Sequence, residues 1–273
     1  MKFFSIIQLT FWESFAKKTF IAFLGISTLT CLLFIFALNL DLVNGMQSSV
    51  KIFGQDTGAM VDVTEIIWGI EGAIAVMLFT GGIFMSLFAT SSLIPTLLQP
   101  GFIDLFISKP VSRFTILTGR YVGAISIVAF NIFYLIIFSW LILSLKTGVW
   151  NWGYLLAGLM IVMTFSILYA LMTLLGIITR SGAFSLMITY LILFFSPLLI
   201  QRDKLYALLS SKYYGYLIDG IYYFLPKPTE LGDITQKLVR GVEITSWMPL
   251  WTSLLFAGFI LGLSGYIFKL KNF

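Results

Sequence analysis

Six long apolar segments constrain the fold of this chain more than any other feature. They cover residues 20–40, 69–94, 121–145, 154–179, 183–200 and 249–268. Glu71 is the only charged residue within them. A helix needs about 20 apolar residues to cross the hydrocarbon of a bilayer, and a charge at the bilayer centre costs at least about 2.5 kcal/mol. Each segment therefore predicts a transmembrane helix.

The composition agrees with a membrane protein. Hydrophobic residues make up 59% of the 273 residues, charged residues only 11%, and the mean hydropathy is +0.99. A soluble domain is typically about 45–50% apolar and about 25% charged. Spanning strands would need alternating polarity, which these segments lack. We therefore predict an all-α membrane protein whose 273 residues form a single transmembrane domain.

Basic residues and tryptophans are distributed unevenly between the two sides of the predicted bundle. With six spans, both termini lie on one side, which holds nine basic and two acidic residues and so a net charge of +7. The opposite side has a net charge of −2 and holds every tryptophan except Trp12. The positive-inside rule then places both termini in the cytoplasm. Because the positive-inside rule accounts for the excess of basic residues, we expect no nucleic-acid partner.

The N-terminal segment 2–18 has the pattern of an amphipathic helix. Phe4, Ile7, Phe11 and Phe15 share one face, and Glu13 can pair with a lysine four residues later. We predict a helix that lies in the membrane interface before the first span. A helical extension of the first span is the alternative.

The residue inventory excludes several kinds of chemistry. The chain has no histidine, and its one cysteine, Cys31, lies inside the first span. It has no G-x-x-x-x-G-K-[ST] phosphate loop, so ATP hydrolysis by that route would need another protein. We expect no catalytic residue, no bound cofactor and no metal site. The chain is therefore not expected to be an enzyme.

The segment 95–120, between the second and third spans, is the main indication of function. An apolar stretch there surrounds a single acid, Asp104, and Lys109-Pro110 breaks it before a second helix begins near Arg113. A short helix of this kind can insert its apolar face into a groove of a partner, with Asp104 against a basic residue. Arg113 would pair with Asp104 or contact a lipid phosphate. An ordinary interfacial loop is the alternative.

This region resembles the permease subunits of type-2 ABC exporters. The residues that carry the resemblance are 92–95 (SLIP), 101–105 (GFIDL), 108–113 (SKPVSR) and 119–120 (GR). In that family the segment between the second and third spans holds a cytoplasmic coupling helix, which binds the ATPase subunit. The resemblance therefore implies that the residues that contact an ATPase include Gly101, Phe102, Asp104, Leu105, Phe106, Lys109, Pro110 and Arg113.

The family also implies partners and a location. We expect two ABC ATPase subunits, which carry the ATP and Mg²⁺, and a second permease subunit, either another copy of this chain or a related one. The expected location is the bacterial inner (cytoplasmic) membrane, in contact with lipid, and the expected function is ATP-driven export. The alternative is a membrane scaffold that transports nothing and relays ATPase movement to an accessory protein on the outer side.

The two outer segments differ in pattern. Residues 40–68 are predicted to be a solvated loop, whereas 201–248 combine tyrosines and apolar residues in a stretch too short to span, which predicts a re-entrant or interfacial hairpin. A short helix is predicted at 233–240, with Asp233 as its N-cap. Residues 224–231 (FLPKPTEL) are similar to a subgroup that includes the permease linked to maturation of copper enzymes such as nitrous-oxide reductase. The candidate residues of this outer segment are Tyr213, Tyr214, Tyr222, Tyr223 and Pro226.

Within the spans, Asn131 is the most polar deep residue and Pro197 is predicted to kink the fifth span. Both are candidates for a pathway or a helix contact, and for Asn131 we favour a hydrogen bond between helices. Gly119-x-x-x-Gly123 and Gly258-x-x-x-Gly262 are patterns that allow close packing, either within the chain or at a dimer seam.

Overall fold

The computed structural model describes residues 2–16, 18–43, 47–52, 55–99, 112–201, 215, 219–220 and 222–271. Its helices, in chain order, are α1 (Lys2–Ala16), α2 (Lys18–Ala37), α3 (Val63–Met77), α4 (Ile83–Thr90), α5 (Leu93–Leu97), α6 (Arg113–Thr147), α7 (Trp152–Thr179), α8 (Gly182–Ile200), α9 (Pro228–Val239) and α10 (Met248–Leu270). A five-residue π-helical stretch, Leu78–Gly82, joins α3 to α4 and is called the π segment below.

Five helical stretches of the described residues are long and apolar enough to cross a membrane. They are the composite helix Val63–Leu97 and helices α6, α7, α8 and α10. The prediction of a multi-pass helical membrane protein is confirmed at this level. The predicted first span corresponds to α2, in which the apolar stretch Ile21–Leu33 is shorter, so the count of six is not established.

The segment between α2 and α3 forms a small antiparallel sheet rather than the predicted loop. Its strands are β1 (Leu38–Val43), β2 (Gln47–Ile52) and β3 (Gln55–Asp62), in the order β1-β2-β3. Leu38 pairs with Ile52 and Gln47 pairs with Asp62, which sets the register of the two hairpins. The all-helical prediction therefore holds for the apolar part of the chain.

Successive long helices run in opposite directions, which gives the bundle two chemically different ends. The first, here the cation-rich end, holds Arg113, Arg180, Lys269 and Lys271, where α6 begins and where α7 and α10 end. The second, here the tryptophan-rich end, holds Trp68, Trp150, Trp152, Trp247 and Trp251. The predicted separation of basic residues from tryptophans is therefore present along the bundle axis.

Helix α7 lies at the centre of the bundle. Its most apolar window is 78% buried, against 17% for α8. Tyr154, Phe165 and Tyr169 are fully buried on it. Helices α6, α8, α9 and α10 all pack on α7, so the core forms around this one helix and α8 is peripheral.

Helix α1 packs on the first turns of α6 through its polar side. Thr10 and Ser14 are buried there, whereas Phe4 is 76% exposed and Trp12 is 69% exposed. A helix is therefore present over the predicted N-terminal segment, with Phe4 and Trp12 pointing away from the protein. Helix α1 ends at Ala16 and α2 begins at Lys18, so the two helices are nearly continuous.

Candidate functional site

The segment predicted to bind an ATPase connects two well-packed points at the cation-rich end. Helix α5 is its first point of attachment, because Leu93, Ile94 and Leu97 are at most 2% exposed. The backbone at Gly176 of α7 lies so close that a Cβ there would be 3.6 Å from Ile94. The chain therefore leaves the bundle from a fixed position.

Helix α6 is the second point of attachment and begins where the sequence predicted. Ser112 is its N-cap, since the Thr115 backbone N–H donates to Ser112 Oγ at 3.1 Å. The hydroxyl oxygens of Ser112 and Thr115 lie 2.6 Å apart. An N-cap side chain satisfies a backbone donor that the helix leaves free, and so it sets the first residue of α6 at Arg113.

Arg113 ties the start of α6 to the end of α10. Its Nη1 donates to the Lys271 carbonyl at 2.6 Å and to the Lys269 carbonyl at 3.3 Å. Lys271 in turn donates through Nζ to the Ile177 carbonyl of α7. Arg113 was predicted to contact Asp104 or a lipid phosphate. The structure shows that it also joins the start of α6 to the end of α10, which the sequence did not indicate.

A buried ion pair fastens α1 beside this end. Arg120 is completely buried, and its Nη1 donates to the Glu13 carboxylate, whose side chain is 24% exposed. Sequence reasoning paired Glu13 with a lysine four residues later and counted Arg120 only among the basic residues of the inner side. The pair joins residues 107 positions apart, so no local pattern could have indicated it.

The first glycine motif explains how α1 comes so close. A Cβ at Gly119 would lie 2.9 Å from Ile6 Cγ2, and one at Gly123 would lie 2.9 Å from Thr10 Cβ. The predicted close packing at this motif is therefore intramolecular. At Gly258 and Gly262 a Cβ would meet no described residue within 4 Å, so that motif faces open space in the described part of the chain.

Of the predicted coupling residues, only Arg113 belongs to the described part of the chain. The others lie outside the described residues: Gly101, Phe102, Asp104, Leu105, Phe106, Lys109 and Pro110.

Two cavities flank the π segment. The larger, here the lateral cavity, has a volume of about 480 Å³ and lies between the composite helix, α8 and α9. The smaller, of about 320 Å³, lies between α2 and the composite helix. Gly81 lines both, and a Cβ there would meet nothing within 4 Å. The π segment therefore has free space on both sides.

The two candidate pathway residues occupy different positions. Pro197 lines the lateral cavity, near the end of α8, which continues past it to Ile200. Asn131 is buried in α6, and its amide donates to the Ile127 carbonyl of the same helix at 3.4 Å. Its Oδ1 has no hydrogen-bond partner among the described residues. The favoured hydrogen bond between helices is therefore not found for Asn131.

A polar cluster at the tryptophan-rich end joins three helices. Asn151, the N-cap of α7, donates to Glu71 Oε2 at 2.6 Å and to the Val239 carbonyl at 2.8 Å. Glu71 is completely buried, and its Oε1 has no hydrogen-bond partner in the described part of the chain. Although Glu71 lies near the end of its predicted span, the packing of α9 over α3 encloses it. Gln236 of α9 adds a second link to α3 by donating to the Gly72 carbonyl at 3.2 Å.

The described tyrosines of the outer segment surround a lysine. Tyr222 and Tyr223 meet edge to face, with ring centroids 5.3 Å apart, and Lys227 Nζ lies 4.5 Å from the Tyr222 ring centre. Tyr222 also donates to Glu230 at 2.7 Å, and Pro226 is buried. Tyr213 and Tyr214 lie outside the described residues.

The short outer helix is present but begins earlier than predicted. Pro228 is the first residue of helix α9, whereas the prediction placed the start of the helix after Asp233. Proline is favoured at the first position of a helix because it lacks an N–H that would have no partner there. After the end of α9, Gly241 has a φ of 62°, a left-handed conformation that favours glycine at the end of a helix.

No protein-family model matches this chain, and no curated protein matches its sequence. The functional argument therefore depends on the residues and geometry described above.

Proposed function

We propose that this chain is the permease subunit of a type-2 ABC exporter, which two separate ATPase subunits drive from the cation-rich end. The observation that carries the proposal is the segment 95–120. Its sequence resembles a coupling segment, and its two points of attachment, α5 and the start of α6, are packed and capped. A segment that transmits force needs fixed attachments of this kind.

The membrane arrangement in this proposal has six spans, with α2 as the first. Its 20 residues would extend about 30 Å, which is about the thickness of the hydrocarbon. The cation-rich end would face the cytoplasm of a bacterium, with both termini, because basic residues favour that side. The exposed face of α8 and the open Gly258 motif are surfaces that lipid or a second subunit, most simply another copy of this chain, would cover.

In the proposed mechanism, the coupling segment acts as a lever that moves the bundle, and the composite helix bends at the π segment. Closure of the ATPase subunits on ATP and Mg²⁺ would push the coupling segment, and α5 and α6 would carry the movement into the bundle. The π segment interrupts the regular hydrogen bonding of the composite helix, and Gly81 and Gly82 lack side chains that would stiffen it. The composite helix would therefore bend there, next to the lateral cavity and Pro197.

The first test is a pull-down of the tagged chain from its native membrane in mild detergent, followed by mass spectrometry. We expect a stoichiometric ABC ATPase, and any accessory protein from the outer side would narrow the substrate. If no ATPase is recovered, even when ATP is trapped, the chain is not an exporter subunit. Substrate-stimulated ATP turnover then separates a transporter from a scaffold, which would bind an ATPase without it.

The second test addresses the coupling residues directly. Asp104→Ala and Phe106→Ala should weaken ATPase association at least about tenfold, the equivalent of about 1.4 kcal/mol. Glu243→Ala and Phe259→Ala are matched controls, since both side chains are exposed and lie away from the cation-rich end. Equal association of all four variants would exclude the lever.

A further inference from the structure

The lateral cavity has apolar walls and opens sideways. Phe79, Phe84 and Leu193 line it, together with Val76 and Phe194 at its rim. The two rim side chains are 45% and 68% exposed and lie on helices that are long and apolar enough to cross a membrane. Hydrocarbon from the bilayer can therefore reach the cavity without crossing a polar barrier.

Specific contacts close the cavity along the helix axis. Toward the cation-rich end, Tyr190 donates to the Phe84 carbonyl at 2.6 Å, and the two rings stack with centroids 4.1 Å apart. Toward the tryptophan-rich end, the Thr229 backbone N–H donates to Ser196 Oγ at 3.3 Å. Contacts between α4 and α8 and between α8 and α9 therefore bound the cavity at its two ends, so the packing of the helices itself forms it.

Helix α9 gives the cavity one polar end with an acidic residue. Thr229, Asp233 and Gln236 line it there, and Asp233 is exposed. Asp233 makes no ion pair with a described residue. Two lysines of the same segment bond elsewhere. Lys237, four residues later on α9, donates to Thr245 Oγ1 at 3.3 Å, and Lys227 is buried against Tyr222 and donates to Thr252 Oγ1 at 2.9 Å. A ligand at this end therefore meets a carboxylate and hydrogen-bonding groups.

From this arrangement we propose that the lateral cavity binds a phospholipid of the surrounding bilayer that has an ammonium headgroup. One acyl chain lies between the phenylalanines, and the ammonium group lies beside Asp233. Pockets of about 300–1,000 Å³ with apolar walls and a few polar groups are typical for drug-sized ligands, and the cavity of about 480 Å³ falls within that range. It therefore holds one acyl chain rather than the whole lipid. The charge of Asp233 favours an ammonium headgroup over a purely anionic one.

The site does not depend on the proposed transport function. A lipid wedged between the composite helix and α9 would stabilise the conformation in which these helices are tied to α8. It would do so in an exporter or in a scaffold.

Photolabelling tests the site. The purified chain is placed in nanodiscs that contain phosphatidylethanolamine with a diazirine in its acyl chain, and labelled peptides are mapped after irradiation. We expect labels concentrated on the lining residues of α3, the π segment and α8. The same chain on phosphatidylglycerol, which has no ammonium group, should label these peptides at least about threefold less.

Two matched variants show whether the cavity itself binds the lipid. Val76→Trp fills the cavity from its rim and should reduce labelling of the lining peptides at least about fivefold. Leu191→Trp adds the same side chain on the exposed face of α8, away from both cavities, and should leave labelling unchanged. Asp233→Asn should remove the preference for phosphatidylethanolamine while keeping the labelling.

Four results would contradict the proposal. Labels spread evenly over all lipid-facing peptides would mean ordinary bilayer contact. Equal labelling of Val76→Trp and the wild type would place the lipid elsewhere. Absence of label from the lining peptides of the wild type would mean that a protein, such as a second copy of the chain, covers the cavity. Equal labelling by both lipids would contradict the headgroup assignment.

Discussion

The guanidinium group of Arg120 is completely buried against the carboxylate of Glu13, and this pair fastens the N-terminal helix to the base of α6. The N-terminal helix contacts the first three turns of α6, where Gly119 and Gly123 allow the two backbones to approach. Any force that enters through the coupling segment would therefore reach α1 as well as α6.

The ion pair predicts a characteristic pattern of stabilities. Glu13→Ala should lower the free energy of unfolding by about 3–5 kcal/mol, because it leaves a buried guanidinium group without its carboxylate. Replacing both residues by leucine should cost far less, since an apolar pair removes both buried charges. Thermal unfolding in detergent measures these differences, with Glu65→Ala, an exposed acid on α3, as the control. A double variant as unstable as Glu13→Ala would contradict this account.

The two glycine motifs should respond oppositely to alanine. At Gly123 the new methyl group would overlap Thr10, and overpacking of this kind costs about 1–3 kcal/mol. Gly119→Ala should have a similar cost, because its methyl group would overlap Cγ2 and Cβ of Ile6, a buried side chain that is stiff at its β-branch. Gly258→Ala and Gly262→Ala should be neutral or stabilise the monomer by up to about 1 kcal/mol.

The same variants distinguish packing within the chain from a dimer seam. Gly258→Leu should leave the thermal stability of the monomer unchanged and, if α10 forms the seam, should weaken a homodimer measured by light scattering in detergent. A loss of monomer stability on Gly258→Ala would show that the open face of α10 is occupied by the chain itself.

Much of the fold could be predicted because the bilayer makes apolar length decisive. The predicted span 154–179 differs from α7 by two residues at one end, since both ends of that helix are set by polar residues. The predicted span 121–145 begins eight residues later than α6, because the charged first turns of α6 do not count as apolar. Those turns are stabilised by α1 rather than by lipid, which no local pattern indicates.

The missed features depend on contacts between distant residues. The sheet left a trace in the alternating residues of β1 (LNLDLV), but strands this short are weak signals. The cluster of Glu71, Asn151 and Gln236 joins three helices separated by many residues, and the enclosure of Glu71 depends on how α9 folds back. The cavities depend on the π segment, whose only trace in the sequence is the pair Gly81-Gly82.

Lys271 predicts a pH dependence at the cation-rich end. Burial, with a smaller contribution from the charge of Arg180, lowers the pKa of Lys271 below its usual 10.5. Between the lowered pKa and 10.5 the unfolded chain binds more protons at this position, so the contribution of Lys271 to stability rises with pH. NMR titration of the ¹³C-methylated lysines should give a midpoint below 10.5 for Lys271, and Arg180→Gln should raise it. A midpoint at or above 10.5 would contradict the burial of this amine.

Asn151 should be among the most sensitive polar positions, because it has two separate roles. Its Oδ1 accepts from the Gly153 N–H at 3.0 Å and caps α7, and its Nδ2 holds Glu71 and the Val239 carbonyl. Asn151→Ala should lose about 1 kcal/mol for the cap and a further 1–3 kcal/mol, roughly, for the buried carboxylate left without a donor.

A serine at the same position separates the two contributions. Asn151→Ser keeps an N-cap oxygen but cannot donate to both acceptors, so it should recover only the part due to the cap. Glu71→Gln in the Asn151→Ser background should then recover part of the rest, since a neutral amide needs less compensation than a buried carboxylate. The three variants and the wild type are compared by thermal unfolding at pH 8. Full recovery by serine alone would show that Glu71 does not depend on Asn151.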